Sequence, residues 1–271
     1  MPELPEVETT RLGLVPHLVG RTVAAVTVRE RRLRWPVAAE LETALVGQTV
    51  LGLERRAKYL LLQTRRGWAL IHLGMSGSLA ILTEPRPVAK HDHLELALEG
   101  GVGLRYTDPR RFGAWLWTPH DPAEHPLLRH LGPEPLAPTF DAAYLSRRAR
   151  LKRTAIKTLI MDQRVVVGVG NIYANEALFA AAIDPHRMAG SVAPERFPPL
   201  VAAIQRVLTR AIAAGGTTRR DFVDGQGRPG YFQQQLAVYG RGGEPCRRCG
   251  GVIVASRLGQ RATYHCPGCQ G

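Results

Sequence analysis

Two groups of residues in this 271-residue chain have types and spacings suited to chemistry, and they lie at its opposite ends. At the start, Met1-Pro2-Glu3-Leu4-Pro5-Glu6-Val7-Glu8 sets a proline behind the initiator methionine and a carboxyl beside it. Methionine ahead of a small residue such as proline is readily removed, which would leave a free secondary amine on Pro2. A secondary amine condensing with C1′ of a sugar gives an iminium that is cationic without any protonation step, and that electron sink can drive elimination of a neighbouring phosphate. The reference pKa of such an amine is about 8 and nearby cations lower it, so a neutral, nucleophilic fraction exists near neutral pH. Glu3 could protonate the ring oxygen as the sugar opens. A bland reading stands beside this one: an early proline and acids in a first turn are also ordinary helix-start residues.

At the other end, Cys246, Cys249, Cys266 and Cys269 form two C-x2-C pairs, and they are all the cysteines of the chain. This spacing is that of a four-thiolate zinc site, expected to hold one structural Zn2+. The segment between the pairs, VIVASRLGQRATYH, is short and strand-prone, as a two-stranded ribbon requires. A module of this size needs its metal to fold. Two disulfides or a redox pair are the alternative, disfavoured because no secretion signal precedes them. His265 reads as a bystander to a shell that four thiolates complete.

These residues must be positioned by the rest of the chain. The formal charge of +13 and pI near 10.3 suit a polyanionic partner. Neither a signal pattern nor a long apolar run is present, so no membrane association and a cytoplasmic location are expected. Residues 22–117 alternate short apolar or β-branched runs (TVAAVTV, QTVLGLE, KYLLLQT, GWALIHL, GSLAIL, HLELAL, GLRYT, FGAWLW) with Gly, Pro and polar breaks, which predicts an antiparallel β-sandwich. After the Pro-rich joint GPEPLAP the pattern turns helical through AAYLSRRARL, TAIKTLIMD, NIYANEALFAAAI and ERFPPLVAAIQRVLTRAIAA. The fold class is therefore α+β and multidomain. The expected divisions are 1–130, 131–236 and 237–271, with a Gly-rich, polar stretch at 217–232 reading as a mobile lid.

The segment 147–157, RRARLKRTAIK, carries six cations and no acid, a phosphate-binding face or simply a solvated one. Only four of the 36 basic residues are lysines, namely Lys58, Lys90, Lys152 and Lys157. A chain so biased to arginine keeps lysine where an amine that can lose its proton is wanted. Downstream, VVGVGN opens a helix with Asn171 as its cap, and glycines there let backbone N–H groups approach a phosphate.

MPELPEVE, RRAKYLLL, HLGMSGSL, KHDHLEL, YTDPRRFGAW, VVGVGNIYANEALF and the four-cysteine module, in this order over essentially the whole chain, resemble the formamidopyrimidine-DNA glycosylases. The resemblance implies an N-terminal β-sandwich, a helix-two-turn-helix domain and a C-terminal zinc-finger hairpin, with DNA bound across the cleft between them. It implies a bifunctional glycosylase and abasic-site lyase acting on damaged double-stranded DNA by β,δ-elimination, without catalytic metal or organic cofactor. A bacterial, nucleoid-associated monomer is expected.

Carried over residue by residue, the resemblance makes Pro2 the Schiff-base nucleophile, Glu3 the acid, Lys58 a proton donor in β-elimination and Arg261 one in δ-elimination. The bland readings are that Lys58 is a surface lysine beside Arg55 and Arg56 and that Arg261, a poor acid, is only a phosphate ligand. His91, Arg110, Lys152, Lys157 and Asn171 match DNA-contacting positions, although alternation puts His91 and His93 on one sheet face where either could be structural. His72 reads as a satisfied strand residue. Met75, Arg110 and Phe112 match a void-filling set for a flipped-out nucleotide, against the alternative that Met75 and Phe112 are core. A donor-only guanidinium at Arg110 should prefer cytosine opposite the lesion over adenine. Glu6 is a candidate lesion contact, and 217–232 the lesion-sensing loop. The rival readings are an endonuclease VIII-like enzyme for oxidised pyrimidines and a non-catalytic zinc-finger DNA-binding protein that keeps Met1.

Overall fold

The computed structural model describes residues 2–217 and 235–271. Among these, 2–130 with 214–217 form one compact unit and 131–213 with 235–271 the other. The elements, in chain order, are α1 (Leu4–Leu18), β1 (Val23–Val28), α2 (Glu40–Leu45), β2 (Gly52–Arg56), β3 (Tyr59–Gln63), β4 (Trp68–His72), β5 (Ser78–Leu82), β6 (Asp92–Leu98), β7 (Gly103–Thr107), β8 (Ala114–Thr118), α3 (Ala142–Ala149), α4 (Ile156–Met161), α5 (Asn171–Ala180), α6 (Phe197–Ala213), β9 (Val254–Leu258) and β10 (Arg261–His265).

In the first unit, period-two alternation builds two antiparallel four-stranded sheets, ordered β1-β6-β7-β5 and β2-β3-β4-β8. Leu94, Leu96 and Leu98 of β6 point into the core while Glu95 between them faces Arg29 and Arg105. Leu60 and Leu62 of β3, paired with Ile71 and Ala69 of β4, join the same core from the other sheet. Val7, Leu14 and Leu18 bring one face of α1 into it. The expected sandwich is thus present. Helix α2, which packs Leu41 and Leu45 into this core, was not foreseen from the sequence.

The second unit is helical with a β-hairpin. Leu200, Ile204, Leu208 and Ala211 form the buried stripe of α6, and α5 is buried along nearly its whole length. The hairpin pairs β9 with β10, from Val254↔His265 to Leu258↔Arg261. No helix among the described residues is long and apolar enough to cross a membrane.

Candidate active site and metal centre

The buried residues Pro2 and Glu3 lead into α1. Glu3 is the N-cap residue in extended conformation, with its N–H donating to Glu6 Oε2 at 2.8 Å. The other Glu6 oxygen accepts both the N–H and the hydroxyl of Thr217, at 2.8 and 2.9 Å. Glu6, expected to touch a lesion, is 2% exposed here with both oxygens engaged by the protein, so it fixes the chain on either side of it. Beyond Thr217, the expected lesion loop 217–232 lies outside the described residues.

Two positions along the helix, Glu8 pairs with Arg11 at 2.6 Å and with Arg55 of β2 at 2.8 Å. Burial would raise the Glu8 carboxyl, but the hydrogen bonds and charges of the two arginines outweigh it and hold it below the usual range. Arg55 also donates to the carbonyl of Ala57 at 3.0 Å. Ala57 and Lys58 form the two-residue turn between β2 and β3, with Ala57 at φ +54°, a conformation alanine rarely adopts. A chain of bonds from α1 through Glu8 and Arg55 therefore sets the turn that presents Lys58. His72, opposite Tyr59 on β4, accepts the Gly74 N–H at 2.9 Å, the satisfied strand residue expected. Burial, followed by the charges of Lys58 and Arg34, pushes its pKa down to about 4. The imidazole is thus neutral near Lys58.

The sequence did not single out Asp108, which organises most of the remaining site in this unit. Its side chain is fully buried and accepts Ser76 Oγ at 2.7 Å, Tyr106 OH at 3.0 Å and Gly113 N at 2.9 Å. Its carbonyl meets His93 Nε2 at 2.8 Å, and its N–H donates to the His91 carbonyl at 3.0 Å. Ser76 Oγ in turn accepts the Arg110 N–H at 3.2 Å. One carboxyl thus anchors the turn carrying Met75 and the turn carrying Arg110 and Phe112. The turns also interpenetrate: a Cβ on Gly74, at φ +63°, would lie 2.3 Å from the Phe112 carbonyl carbon. A Cβ on Gly113 would lie 1.8 Å from the Tyr106 hydroxyl.

On this frame Met75 is 38% and Phe112 44% exposed, so the core reading of both is wrong. The guanidinium of the exposed Arg110 lies 4.8 Å from the Phe112 ring centre. An open hollow of about 530 Å³ beside them is lined by Arg32, Leu33, Arg34, Arg110, Arg111 and Phe112. Of the two histidines, His93 is the buried structural one and His91 is half-buried. The signal for Asp108 was available: it is the acid of YTDPRRFGAW, between strand and turn.

In the second unit Arg147, Arg148, Arg150, Lys152 and Arg153 are exposed, as a phosphate-binding face requires. Lys157 departs from them. It is 1% exposed, and its Nζ donates to the Ala262 carbonyl and Thr263 Oγ1, both at 2.8 Å. Its place is under the hairpin rather than on a surface open to phosphate. Asn171 is the first residue of α5, whose cap position is Gly170, so the expected side-chain cap is not formed. Its Nδ2 donates instead to the same Ala262 carbonyl at 3.0 Å. Asn175, one turn further along, accepts the Tyr264 N–H at 2.8 Å. Arg261, exposed at the start of β10, is thereby held through its neighbour's backbone. Glu176, on the same helix, accepts the N–H groups of Ala237, Val238 and Tyr239 at 2.8–2.9 Å, fixing the approach to the cysteine module. Burial raises its pKa against these donors.

The four cysteines are free thiols whose sulfurs lie within 4.8 Å of one another. Cys246 Sγ to Cys269 Sγ is 3.9 Å and Cys249 Sγ to Cys266 Sγ 3.4 Å. Metal–sulfur bonds of about 2.3 Å in a tetrahedron put neighbouring sulfurs about 3.8 Å apart, so the donor set fits zinc. Neither pair is near the roughly 2.05 Å of a disulfide.

A sandwich led by a Pro-Glu helix start, a helical unit and a four-thiolate hairpin are the parts that the sequence resemblance to a zinc-finger DNA glycosylase implies. Sequence models agree in order: "Formamidopyrimidine-DNA glycosylase N-terminal domain" over residues 1–115, "Formamidopyrimidine-DNA glycosylase H2TH domain" over 131–223 and "Zinc finger found in FPG and IleRS" over 243–271. The formamidopyrimidine-DNA glycosylase of Stutzerimonas stutzeri is 57% identical over 270 residues, covering all of both chains. The crystal structure of MutM (Fpg) from Thermus thermophilus matches with a TM-score of 0.89 at 39% identity, covering 100% of this chain and 99% of that one. A Lactococcus lactis Fpg mutant in complex with Fapy-dG-containing DNA matches with a TM-score of 0.90 at 33% identity over 99% of each chain. The chain belongs to the formamidopyrimidine-DNA glycosylase family.

Proposed function

We propose that this protein excises oxidised purines, 8-oxoguanine and formamidopyrimidines, from duplex DNA and cleaves the resulting abasic strand by β,δ-elimination. Within the family, the observation that carries this reading is the exposed Met75, Arg110 and Phe112 set on a buried Asp108 frame. Removing a base from the stack costs about a few kcal/mol in lost stacking and pairing and leaves a void, and an apolar wedge with an aromatic plane supports the neighbouring bases there. Arg110 faces the orphaned partner and selects cytosine by its donors.

Removal of Met1 frees the Pro2 amine, which attacks C1′ while the glycosidic bond breaks and the base departs with a proton. Glu3 protonates the ring oxygen as the sugar opens to the iminium. Loss of the C2′ proton then expels the 3′ phosphate and loss of the C4′ proton the 5′ phosphate, with Lys58 and Arg261 assisting the respective steps. His91, Lys152 and Asn171 hold the backbone, and one zinc held by Cys246, Cys249, Cys266 and Cys269 keeps the hairpin folded. The divisions 1–130, 131–236 and 237–271 serve as catalytic, helical DNA-binding and finger parts of a bacterial, cytoplasmic monomer.

Borohydride trapping on a duplex with 8-oxoguanine opposite cytosine tests the reading, with Pro2→Gly and an oxidised-pyrimidine duplex alongside. The expected result is an adduct mapping to Pro2, favoured by the purine lesion and lost in the variant. Adduct on pyrimidine lesions alone would move the assignment to an endonuclease VIII-like activity. Absence of adduct on every substrate, with Met1 retained, would leave a DNA-binding protein.

A further inference from the structure

We infer that Asp184, His186 and His265 form a second metal site, separate from the four cysteines and suited to a divalent ion such as Zn2+. One donor atom from each of the three lies within 4.8 Å of the others. His186 Nδ1 is 2.9 Å from Asp184 Oδ1, and the imidazole centres of His186 and His265 are 5.1 Å apart. Bonds of about 2.1 Å to zinc set neighbouring donors roughly 3.4 Å apart, so side-chain rotations of about an ångström close the set around an ion.

The surroundings are built to hold it. Asp184 Oδ1 also accepts the His186 N–H at 2.8 Å, which fixes the carboxyl against the backbone, and Pro185 between them is rigid. This loop is pinned to the start of α4, where Ile156 N donates to the Arg187 carbonyl at 2.8 Å. His186 Nε2 is 3.0 Å from Ser256 Oγ of β9, the partner that a ligating histidine uses on its far nitrogen to fix its tautomer. His186 Nδ1 lies within hydrogen-bond distance of Asp184 Oδ1, so a bound cation would take the place of the shared proton between the two donor atoms. His265 Nδ1 is buried and has no hydrogen-bond partner among the described residues, a costly arrangement that a coordinate bond would satisfy. Two imidazoles and one carboxylate with an open position suit a borderline divalent ion. Bound there, it would tie the loop after α5 to the hairpin that carries Arg261.

The test is titration of full-length protein, with one zinc already in the cysteine module, by further Zn2+. The ion count per chain is measured by native mass spectrometry, and melting temperature is followed in parallel. Two ions are expected in the wild type, the second raising the melting temperature. His186→Ala and Asp184→Asn should each lose the second ion and keep the first, and Ser256→Ala should weaken the second by at least about tenfold. A wild type that stops at one ion, or a second ion that survives both ligand substitutions, would overturn the assignment.

Discussion

His72 shows how a single side chain couples the site to solution conditions. Its pKa is about 4 in the folded protein against an ordinary value of 6.5. The unfolded chain therefore takes up a proton first as pH falls. The stability that neutral His72 contributes is complete above pH 6.5 and is lost between about 6.5 and 4, by as much as about 3 kcal/mol. Urea unfolding across that window should show the loss, and His72→Gln should flatten it; an unchanged slope in the variant would assign the acid sensitivity elsewhere. Asp108 works by geometry. Replacing it with Asn turns one acceptor into a donor facing donors, at a cost of about 3 kcal/mol to stability. Because the turns carrying Met75 and Arg110–Phe112 both hang on this carboxyl, 8-oxoguanine excision by Asp108→Asn should fall at least tenfold even at temperatures where the variant is fully folded, if those turns fill the void as proposed. Asp108 was visible in its motif as a residue type, but its burial and the donors around it come from three separate strands and turns. Met75 and Phe112 were ambiguous for a related reason: apolar residues are usually core, and only the fold decides which ones stay exposed.

At the scale of elements, short-range signals were legible and long-range ones were not. The strand runs and the four helical segments appear where alternation and helical periodicity placed them. The short α2 was missed because six residues give little periodicity to read. Lys157 sat in a basic run and read as one more phosphate contact, yet its partners are 105 and 106 residues away in β10. Together α4 and α5 hold that strand, through Lys157 and Asn171 at Ala262 and Asn175 at Tyr264. Lys157→Met should retain the aliphatic packing and remove two hydrogen bonds, lowering unfolding free energy by about 2 kcal/mol. If the hairpin positions Arg261 for the last elimination, the same variant should shift the 3′-end products from δ toward β, resolved on a sequencing gel. Equal product ratios would reduce Lys157 to a purely structural part.

For the whole molecule, the charge of +13 should make DNA affinity strongly dependent on salt. With roughly 6–10 phosphates neutralised, affinity should fall about a thousandfold or more between about 50 and 200 mM salt, read by fluorescence anisotropy. A flat response would contradict binding through the exposed basic face. Cys246 and Cys266 share a small core with Phe179, Val238 and Ile253, so removing the metal should loosen that cluster as well as the hairpin. Stripped protein should bind damaged DNA weakly and recover on adding zinc. The close approach at Gly74 has a consequence for anyone redesigning this enzyme. The Met75 turn and the Arg110–Phe112 turn fill each other's space, so neither can be transplanted or diversified alone. A library that varies one while freezing the other will mostly sample misfits, and lesion-opposite preference should pass between homologues only when both turns travel as one heritable block.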